Sequence, residues 1–237
     1  MSDIKTRLSS VRSRIRQAEE KYQRPAGAVS LLAVSKTWPA EAVLTAMDAG
    51  QHRFGENYIQ EAVEKITTIA QYPERNAVEW HFIGAIQSNK TKEIARHFQW
   101  VHSVDRLKIA RRLNDQRPAS LPPLNVCLQV NISAERTKSG AAINATVELA
   151  RQVAQLPRLT LRGLMAIPAP SHEFNEQRAI FHQVNALQQQ LNAEGLNLDT
   201  LSMGMSGDLE AAIAEGATMV RVGSAIFGPR HRATTSD

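Results

Sequence analysis

Cysteine is nearly absent from this chain, and its scarcity excludes a fold stabilised by internal disulfides. Cys127 is the only cysteine among 237 residues, so no disulfide can form within the chain. A protein without disulfides suits a reducing, intracellular compartment. Cys127 lies in the apolar run NVCLQV, a setting typical of a small buried side chain rather than of a reactive thiol.

Long apolar runs are also missing. No segment approaches the roughly 20 apolar residues that a membrane-spanning helix requires. Residues 1–23 contain no apolar signal core and include Asp3, Glu19 and Glu20, which argues against a targeting peptide. We therefore expect a cytoplasmic protein with no membrane partner.

The chain has no block of like charges, although 28 basic and 23 acidic residues leave it a net charge of +5. A mild basic excess can attract a phosphate, another acidic ligand or nucleic acid, and it can equally belong to a solvated surface. No motif combines basic and aromatic residues in the way that nucleic-acid recognition requires. We predict no specific nucleic-acid partner.

Hydrophobic periodicity alternates between strands and helices along nearly the whole chain. An amphipathic helix within residues 1–23 comes first, and strand-like segments then alternate with segments of 3.6-residue period. The strand candidates are eight: 29–36, 52–57, 79–84, 100–105, 123–131, 159–167, 200–206 and 219–228.

Eight strands separated by helices indicate an α/β fold with a parallel sheet and right-handed crossovers. At this length the pattern predicts a single (β/α)8 barrel of TIM type, flanked by an extra N-terminal helix. A doubly wound open sheet is the alternative, but no GxGxxG follows the first strand candidate. We expect one domain over residues 1–237, with a flexible tail at 229–237.

Lys36 ends the first strand candidate, in the run LLAVSKTWP. In this type of barrel the carboxyl ends of the strands form the functional face. Strand alternation places Lys36 on the same side as Leu32 and Val34. The lysine either extends its ammonium into water or lies among apolar groups that lower its pKa and free the amine to attack a carbonyl. Its position alone favours neither alternative.

Small residues follow the last two strand candidates, Ser206 and Gly207 after the seventh and Gly223 and Ser224 after the eighth. This is the usual phosphate site of the barrel, where amide and hydroxyl groups surround an anion. Each glycine alone is equally compatible with a tight turn. An aldehyde-reactive lysine opposite a phosphate site predicts pyridoxal 5'-phosphate (PLP) as the cofactor.

Arg221 and Asn57 are two further candidates for this site. Arg221 lies in the apolar strand VRVG, where a buried guanidinium needs either a structural ion pair or the pyridine nitrogen of PLP. An arginine does not give up its proton, so the ring nitrogen beside it would stay unprotonated and the ring would stabilise carbanions poorly. Asn57 ends the second strand candidate and either caps the following helix or hydrogen-bonds the ring oxygen.

Lys138 and two histidines complete the set of candidates. Lys138, in the loop after the fifth strand candidate, is either a second amine over the barrel mouth or a solvated loop lysine. His81 and His102 lie on adjacent strand candidates, but no third ligand has metal-site spacing. We interpret them as core or wall histidines and predict no metal.

Eight segments of the chain resemble the pyridoxal phosphate homeostasis protein family. They are AVSK (33–36), FGENYIQE (54–61), WHFIGAIQSNK (80–90), HSVD (102–105), QVNISAERTKSG (129–140), GLMAI (163–167), LSMGMSGD (201–208) and VRVGSAIFG (220–228). The resemblance implies a barrel like the N-terminal domain of alanine racemase, with PLP held as a Schiff base on Lys36. It also implies Arg221 at the ring nitrogen and help from Lys138 when PLP leaves Lys36 by transimination.

The same resemblance implies phosphate contacts at Ser206, Gly207, Gly223 and Ser224, and a function in intracellular PLP homeostasis. The protein would buffer PLP or deliver it to PLP-requiring apo-enzymes in transient contacts, and so keep amino-acid and keto-acid pools balanced. We expect a monomer, because a barrel needs no partner to close.

A PLP-dependent amino-acid racemase is the alternative function. Racemisation needs an acid/base group on each face of the bound amino acid, and Lys36 supplies one face. In the resembling racemases a tyrosine from an added domain of a partner subunit supplies the other, whereas Tyr58 is the only tyrosine here near a strand end. We therefore expect a carrier without catalytic turnover.

Two departures from the family pattern concern a secondary PLP site. Trp38 stands where some members carry a lysine, and the tail RHRATTSD lacks the lysines with which some members end. The sequence does not support a secondary PLP site that relies on those amines.

Overall fold

Eight parallel strands close into a barrel in sequence order, in a computed structural model that describes residues 2–72, 78–133 and 139–229. The strands are β1 (Ser30–Val34), β2 (Arg53–Glu56), β3 (Glu79–Phe82), β4 (Trp100–Val104), β5 (Leu124–Val130), β6 (Leu159–Ala166), β7 (Thr200–Ser202) and β8 (Met219–Val222). Strand β8 pairs with β1, with Leu32 beside Arg221, and this pairing closes the barrel. The predicted (β/α)8 barrel is confirmed.

Helices cover the outside of the barrel. They are α1 (Ser2–Lys21), α2 (Ala40–Asp48), α3 (Ile59–Ile69), α4 (Thr91–His97), α5 (Leu107–Gln116), α6 (Ile143–Ala154), α7 (Phe174–Ala193), α8 (Leu209–Ala214) and α9 (Ser224–Phe227). The predicted N-terminal helix is α1. It packs against α8 and α9 and buries Leu8, Val11 and Ile15, as its 3.6-residue apolar spacing predicts.

The last strand is shorter than predicted. The expected strand 219–228 ends at Val222, and residues 224–227 form the short helix α9. The carbonyl of Gly223 accepts hydrogen bonds from the amides of Ile226 and Phe227, both at 2.9 Å, which starts the helical turn. The strand prediction was wrong here because a short apolar run indicates only that its residues are buried. Both a buried strand and a buried helix have such a run.

The inside of the barrel is unusually polar. Barrels of this type are normally filled by branched apolar side chains. Here strand alternation turns His81, His102, Ser202 and Arg221 inward, and all four are buried. Cys127 is buried as well, and burial raises the pKa of its thiol to about 12, so the thiol stays protonated at neutral pH.

The described residues contain neither a membrane-spanning helix nor a cluster of metal ligands. None of the helices in this part of the chain combines the length and the apolar character needed to cross a bilayer. Nor do three His, Cys, Asp or Glu side chains of the same residues come together as metal ligands would. The assignment of residues 1–237 to one domain stays a prediction, and residues 230–237 of the predicted tail lie outside the described part.

Candidate functional site

A cavity of about 280 Å³ opens at the carboxyl end of the barrel, and we call it the carboxyl-end cavity. Ligand pockets typically measure about 300–1,000 Å³, so this one suits a small ligand. It brings together every predicted site residue that the structure describes: Lys36, Asn57, Ser206, Gly207, Arg221, Gly223 and Ser224. Lys138, the remaining predicted site residue, lies outside the described residues.

Lys36 lies two residues beyond the end of β1, and its half-buried side chain lines the cavity together with that of Val34. The strand is shorter than predicted, but both residues still face the same space. The next residue, Thr37, has a φ of 67°, a left-handed conformation that non-glycine residues adopt infrequently. Its amide donates a 2.5 Å hydrogen bond to Oε1 of Glu61, so α3 holds the loop that carries Lys36.

A buried ion pair between Lys65 and Glu56 holds the backbone that precedes Lys36. The Nζ atom of Lys65, on α3, donates a 2.7 Å hydrogen bond to the carbonyl of Ser35 and lies 2.7 Å from Oε1 of Glu56. The hydroxyl of Ser35 donates to the same carboxylate oxygen at 2.6 Å. Burial raises the pKa of Glu56, and the nearby Lys65 ammonium opposes that shift. These contacts restrict the backbone immediately before Lys36.

Two turns after β7 and β8 line the same cavity as Lys36, and we call Ser206–Gly207 and Gly223–Ser224 the paired turns. The second turn lies beside the end of β1, because β8 is paired with β1. Among the described residues, the amides of Ser206, Gly207 and Ser224 donate no hydrogen bond to protein. The carbonyl of Ser206 accepts a 3.1 Å hydrogen bond from Arg14 of α1, which braces this turn from outside. Open amides beside a cavity are donors available to an anion.

Gly207 and Gly223 differ in how the fold constrains them. A Cβ atom at Gly223 would lie 3.1 Å from the carbonyl oxygen of Val34, so packing against β1 favours glycine there. A Cβ atom at Gly207 would meet nothing within 4 Å. The fold itself therefore leaves room for a side chain at residue 207.

Arg221 is buried in the cavity wall and is held by neutral acceptors. Its Nη1 donates to Oγ of Ser202 at 2.9 Å and also to the carbonyl of that residue, and its Nη2 donates to the carbonyl of Ala166 at 2.9 Å. No salt bridge within the described residues includes Arg221, so the structural ion pair considered above is not formed there. Burial lowers the pKa of Arg221 to about 10, against the opposing charge of Asp208, and leaves the guanidinium protonated at neutral pH.

Asn57 does not cap the helix that follows it. Helix α3 begins at Ile59 with Tyr58 in the cap position and no side-chain cap bond. Instead Asn57 lines the cavity, and its buried Oδ1 has no hydrogen-bond partner among the described residues. A Cβ atom at Gly84 would lie 2.1 Å from the carbonyl oxygen of Asn57, so only glycine permits this close approach of the chain after β3.

Apolar side chains that the sequence reasoning did not assign to the site complete the cavity. Ile83 and Ile167 line it directly after β3 and β6, Met205 lines it after β7, and Trp38 lines it from the loop after β1. Trp38 also stacks on Phe227 at a ring distance of 6.0 Å. For Ile83 and Ile167 the signal was present, because each is the first residue after a strand on the functional face.

A larger depression, of about 640 Å³, lies at the amino end of the barrel beside α1. Most of its charged side chains are already paired with the protein. Arg53 binds Glu79 at 3.0 Å, Arg12 donates to the carbonyls of Ala49 and Gly50, and Glu19 accepts from the amide of Val29. Size alone therefore does not make this depression the functional site.

The closed parallel barrel, with a lysine and the paired turns lining one cavity at its carboxyl end, defines the class of protein. It is the barrel of the alanine racemase N-terminal domain, and the family model of that description matches residues 6–231.

Similarity to individual proteins narrows the class to a family. The chain is 59% identical over 230 residues to the pyridoxal phosphate homeostasis protein of Pseudomonas aeruginosa, covering 97% of each chain. It is 54% identical to the protein of that name from Escherichia coli K12, covering 97% of this chain and 98% of that one. The chain therefore belongs to the pyridoxal phosphate homeostasis protein family, and the resemblance seen in its motifs is confirmed.

A solved structure adds a ligand to this comparison. The barrel resembles PipY of Synechococcus elongatus PCC7942, solved with PLP bound, with a TM-score of 0.81 and 37% identity. The match covers 95% of this chain and 100% of that one.

Proposed function

We propose that this protein binds PLP in the carboxyl-end cavity, as a Schiff base on Lys36, and acts in intracellular PLP homeostasis. The observation that carries the proposal is the convergence of Lys36, Arg221 and the paired turns on one small cavity. The names of the relatives and the PLP-bound PipY structure support it.

The groups of the cavity fit PLP at each of its ends. When bound, PLP supplies an aldehyde that forms an imine with an amine. The open amides of the paired turns and the hydroxyls of Ser206 and Ser224 are suited to its phosphate. The unpartnered Oδ1 of Asn57 marks a buried polar position that a ligand would satisfy, since buried polar atoms are seldom left without a partner.

Arg221 supports a carrier rather than an enzyme. It remains protonated at neutral pH, so beside a ring nitrogen it donates a hydrogen bond without transferring a proton. A ring held in this way stabilises carbanions weakly. None of the described residues that line the cavity is a tyrosine, and Tyr58 has an exposed fraction of 56% outside it. We propose that the protein does not catalyse racemisation.

A test of attachment uses the full chain with added PLP. We expect a near-visible absorbance band that borohydride reduction removes, and a peptide map that places the reduced adduct on Lys36. Lys36→Ala should lose the band, whereas Lys92→Ala, which changes an exposed lysine outside the cavity, should keep it. An adduct on another lysine, or an unchanged band in Lys36→Ala, would overturn the assignment.

Delivery requires a separate test. We propose that PLP passes to PLP-requiring apo-enzymes in transient encounters and that Lys138 assists its release from Lys36. Loaded protein is mixed with an apo-enzyme while a phosphatase destroys free PLP, and the enzyme's activity is followed. We expect recovery of activity, slower with Lys138→Ala. If the enzyme recovers no more activity than it does with free PLP and phosphatase, delivery is contradicted. Racemisation of alanine by the purified protein would contradict a non-catalytic role.

The cytoplasmic location and the monomeric state stay predictions from the sequence.

A further inference from the structure

A continuous chain of hydrogen bonds crosses the inside of the barrel from its amino end to the carboxyl-end cavity. We call it the axial chain, and its members are Glu79, His81, His102, Ser202 and Arg221. Glu79 Oε1 lies 2.9 Å from Nε2 of His81, Nδ1 of His81 lies 2.8 Å from Nε2 of His102, and Nδ1 of His102 lies 2.8 Å from Oγ of Ser202. Arg221 then donates to that same Oγ at 2.9 Å.

The two ends of the axial chain determine the direction of its hydrogen bonds. A guanidinium can only donate, and an ionised carboxylate can only accept. His81 must therefore carry its proton on Nε2 and donate to Glu79, which leaves Nδ1 of His81 as an acceptor. His102 then donates from Nε2 and accepts at Nδ1, and Ser202 donates its hydroxyl proton to His102. In each bond of this arrangement the donor is the member nearer Arg221 and the acceptor is the member nearer Glu79.

Burial and charge agree with two neutral imidazoles. Both rings are buried, desolvation lowers the pKa of each, and the pKa of Glu79 falls to about 2 mainly through its hydrogen bond with His81. The charged groups that act on the rings are Glu79, Arg53 and Arg221. Arg53 donates to the same oxygen of Glu79 as His81 does, at 3.0 Å.

Packing keeps the two rings in place. Trp100 stacks on His81 at a ring distance of 5.4 Å and an angle of 13°, and it lies against His102 at 5.8 Å. The rings therefore have little freedom to turn away. A change at the carboxylate of Glu79 must instead change which nitrogen of each ring carries the proton.

We propose that Glu79 is a positioning residue for Arg221 at the opposite end of the barrel. Its carboxylate holds His81 and His102 as Nε2–H tautomers, which turns the Ser202 hydroxyl proton towards His102 and presents the oxygen lone pairs to the guanidinium. Arg221 is thereby held in the cavity wall with its remaining donors towards the cavity. The part of this proposal that concerns the cofactor rests on the proposed function, and the part that concerns the tautomers does not.

The tautomers are measured on the full chain without added PLP, by long-range ¹⁵N–¹H correlation of ¹⁵N-labelled histidine. We expect two neutral Nε2–H rings that keep this form from about pH 8 to pH 6, assigned by their loss in His81→Gln and His102→Gln. Glu79→Ala should convert at least His81 from the Nε2–H form. Glu79→Gln should keep it, because the amide oxygen still accepts. Asp199→Ala is the control, since Asp199 is another carboxylate at the amino end but is paired with Arg162.

The effect on the cavity is measured by titration with PLP. We expect Glu79→Ala to weaken PLP binding about tenfold and to shift the absorbance of the bound cofactor, as loss of support for one charged hydrogen bond predicts. Glu79→Gln and Asp199→Ala should leave both unchanged. Ser202→Ala interrupts the chain next to Arg221 with a small change in volume and should reproduce the cofactor effect if Glu79→Ala does not fold.

Distinct results overturn distinct proposals. Imidazolium or Nδ1–H signals in the unsubstituted protein, or unchanged tautomers in Glu79→Ala, overturn the role of Glu79. Altered tautomers with unchanged PLP binding and absorbance overturn it too, because Arg221 is then positioned independently. If the unsubstituted protein binds no PLP, the proposed function fails while the tautomer measurement still decides the direction of the chain.

Discussion

The ammonium of Lys65 donates a 2.7 Å hydrogen bond to the backbone carbonyl of Ser35, the residue that precedes Lys36. The same ammonium pairs with Glu56, and both side chains are almost fully buried, with exposed fractions of 5% and 0%. A lysine outside the cavity thus holds the strand end that carries the lysine inside it. A buried pair of this kind is costly to break from one side, because the remaining charge has no partner.

We expect Lys65→Met to lower the free energy of unfolding by about 3–5 kcal/mol, since it leaves the Glu56 carboxylate buried and unpaired. Urea denaturation followed by circular dichroism measures the loss. The double variant Lys65→Met/Glu56→Gln, which removes both charges, should recover part of it. A single-variant loss below about 1 kcal/mol, the range of exposed pairs, would show that the pair is hydrated.

Gly207→Ala should separate phosphate binding from folding. The fold leaves open space for a Cβ atom at this position, so we expect an unchanged midpoint of thermal unfolding. The added methyl group lies at the cavity edge beside the open amides, so PLP should bind several-fold more weakly, as titration of the absorbance would measure. Pyridoxal, which lacks the phosphate, is the control ligand and should bind equally to both proteins. Equal weakening for pyridoxal would place the phosphate elsewhere.

Arg221→Met should affect the cofactor more than the fold. The substitution keeps most of the side-chain volume but removes the guanidinium, so we expect a changed absorbance and weaker binding of PLP, with a smaller change in urea midpoint. Arg162→Met is a matched control, because Arg162 covers Trp100 at 4.9 Å and pairs with Asp199 at the amino end. A loss of fold in proportion to the loss of binding would assign Arg221 a purely structural role.

His81 and His102 should each lower the stability of the fold as the pH is lowered from about 7.5 to 5.5. His81 and His102 have lowered pKa values in the folded protein, so they stay neutral there, while in the unfolded chain they take up protons below about pH 6.5. Unfolding then binds protons, and each histidine costs at most about 1.4 kcal/mol per pH unit in this range. Urea midpoints measured across the range should fall less steeply in His102→Asn.

Two carboxylates act with the opposite sign in the same experiment. Burial raises the pKa values of Glu56 and Asp208, so both bind protons more readily in the folded protein than in the unfolded chain. Both carboxylates are present in the unsubstituted protein and in His102→Asn. The difference between the two slopes of urea midpoint against pH therefore gives the contribution of His102. Identical slopes would show that His102 titrates normally when folded.

Cys127 should be unreactive while the protein is folded. Its thiol is buried and its pKa is raised to about 12, so almost no thiolate is available at pH 8. A thiol-specific disulfide reagent should react with it only after urea is added, at the rate of unfolding. Rapid reaction of the native protein would contradict its burial inside the barrel.

The barrel fold and the convergence of the site residues could be predicted from the sequence alone. Alternating periods of two and 3.6 residues report which positions are buried, and eight such alternations at this length leave a closed barrel as the natural solution. Because the carboxyl ends of parallel strands converge, residues as distant as Lys36 and Ser224 were expected in one place, and both line the carboxyl-end cavity.

Only the tertiary structure decided which polar groups meet. Periodicity shows that His102 and Ser202 are buried, but it does not show that closure of the barrel brings their side chains within 2.8 Å across 100 residues. The partners of Lys65 and the short helix after Gly223 depend in the same way on packing between elements. A linear pattern records the burial of each residue, whereas the direction of a hydrogen bond depends on the group that faces it.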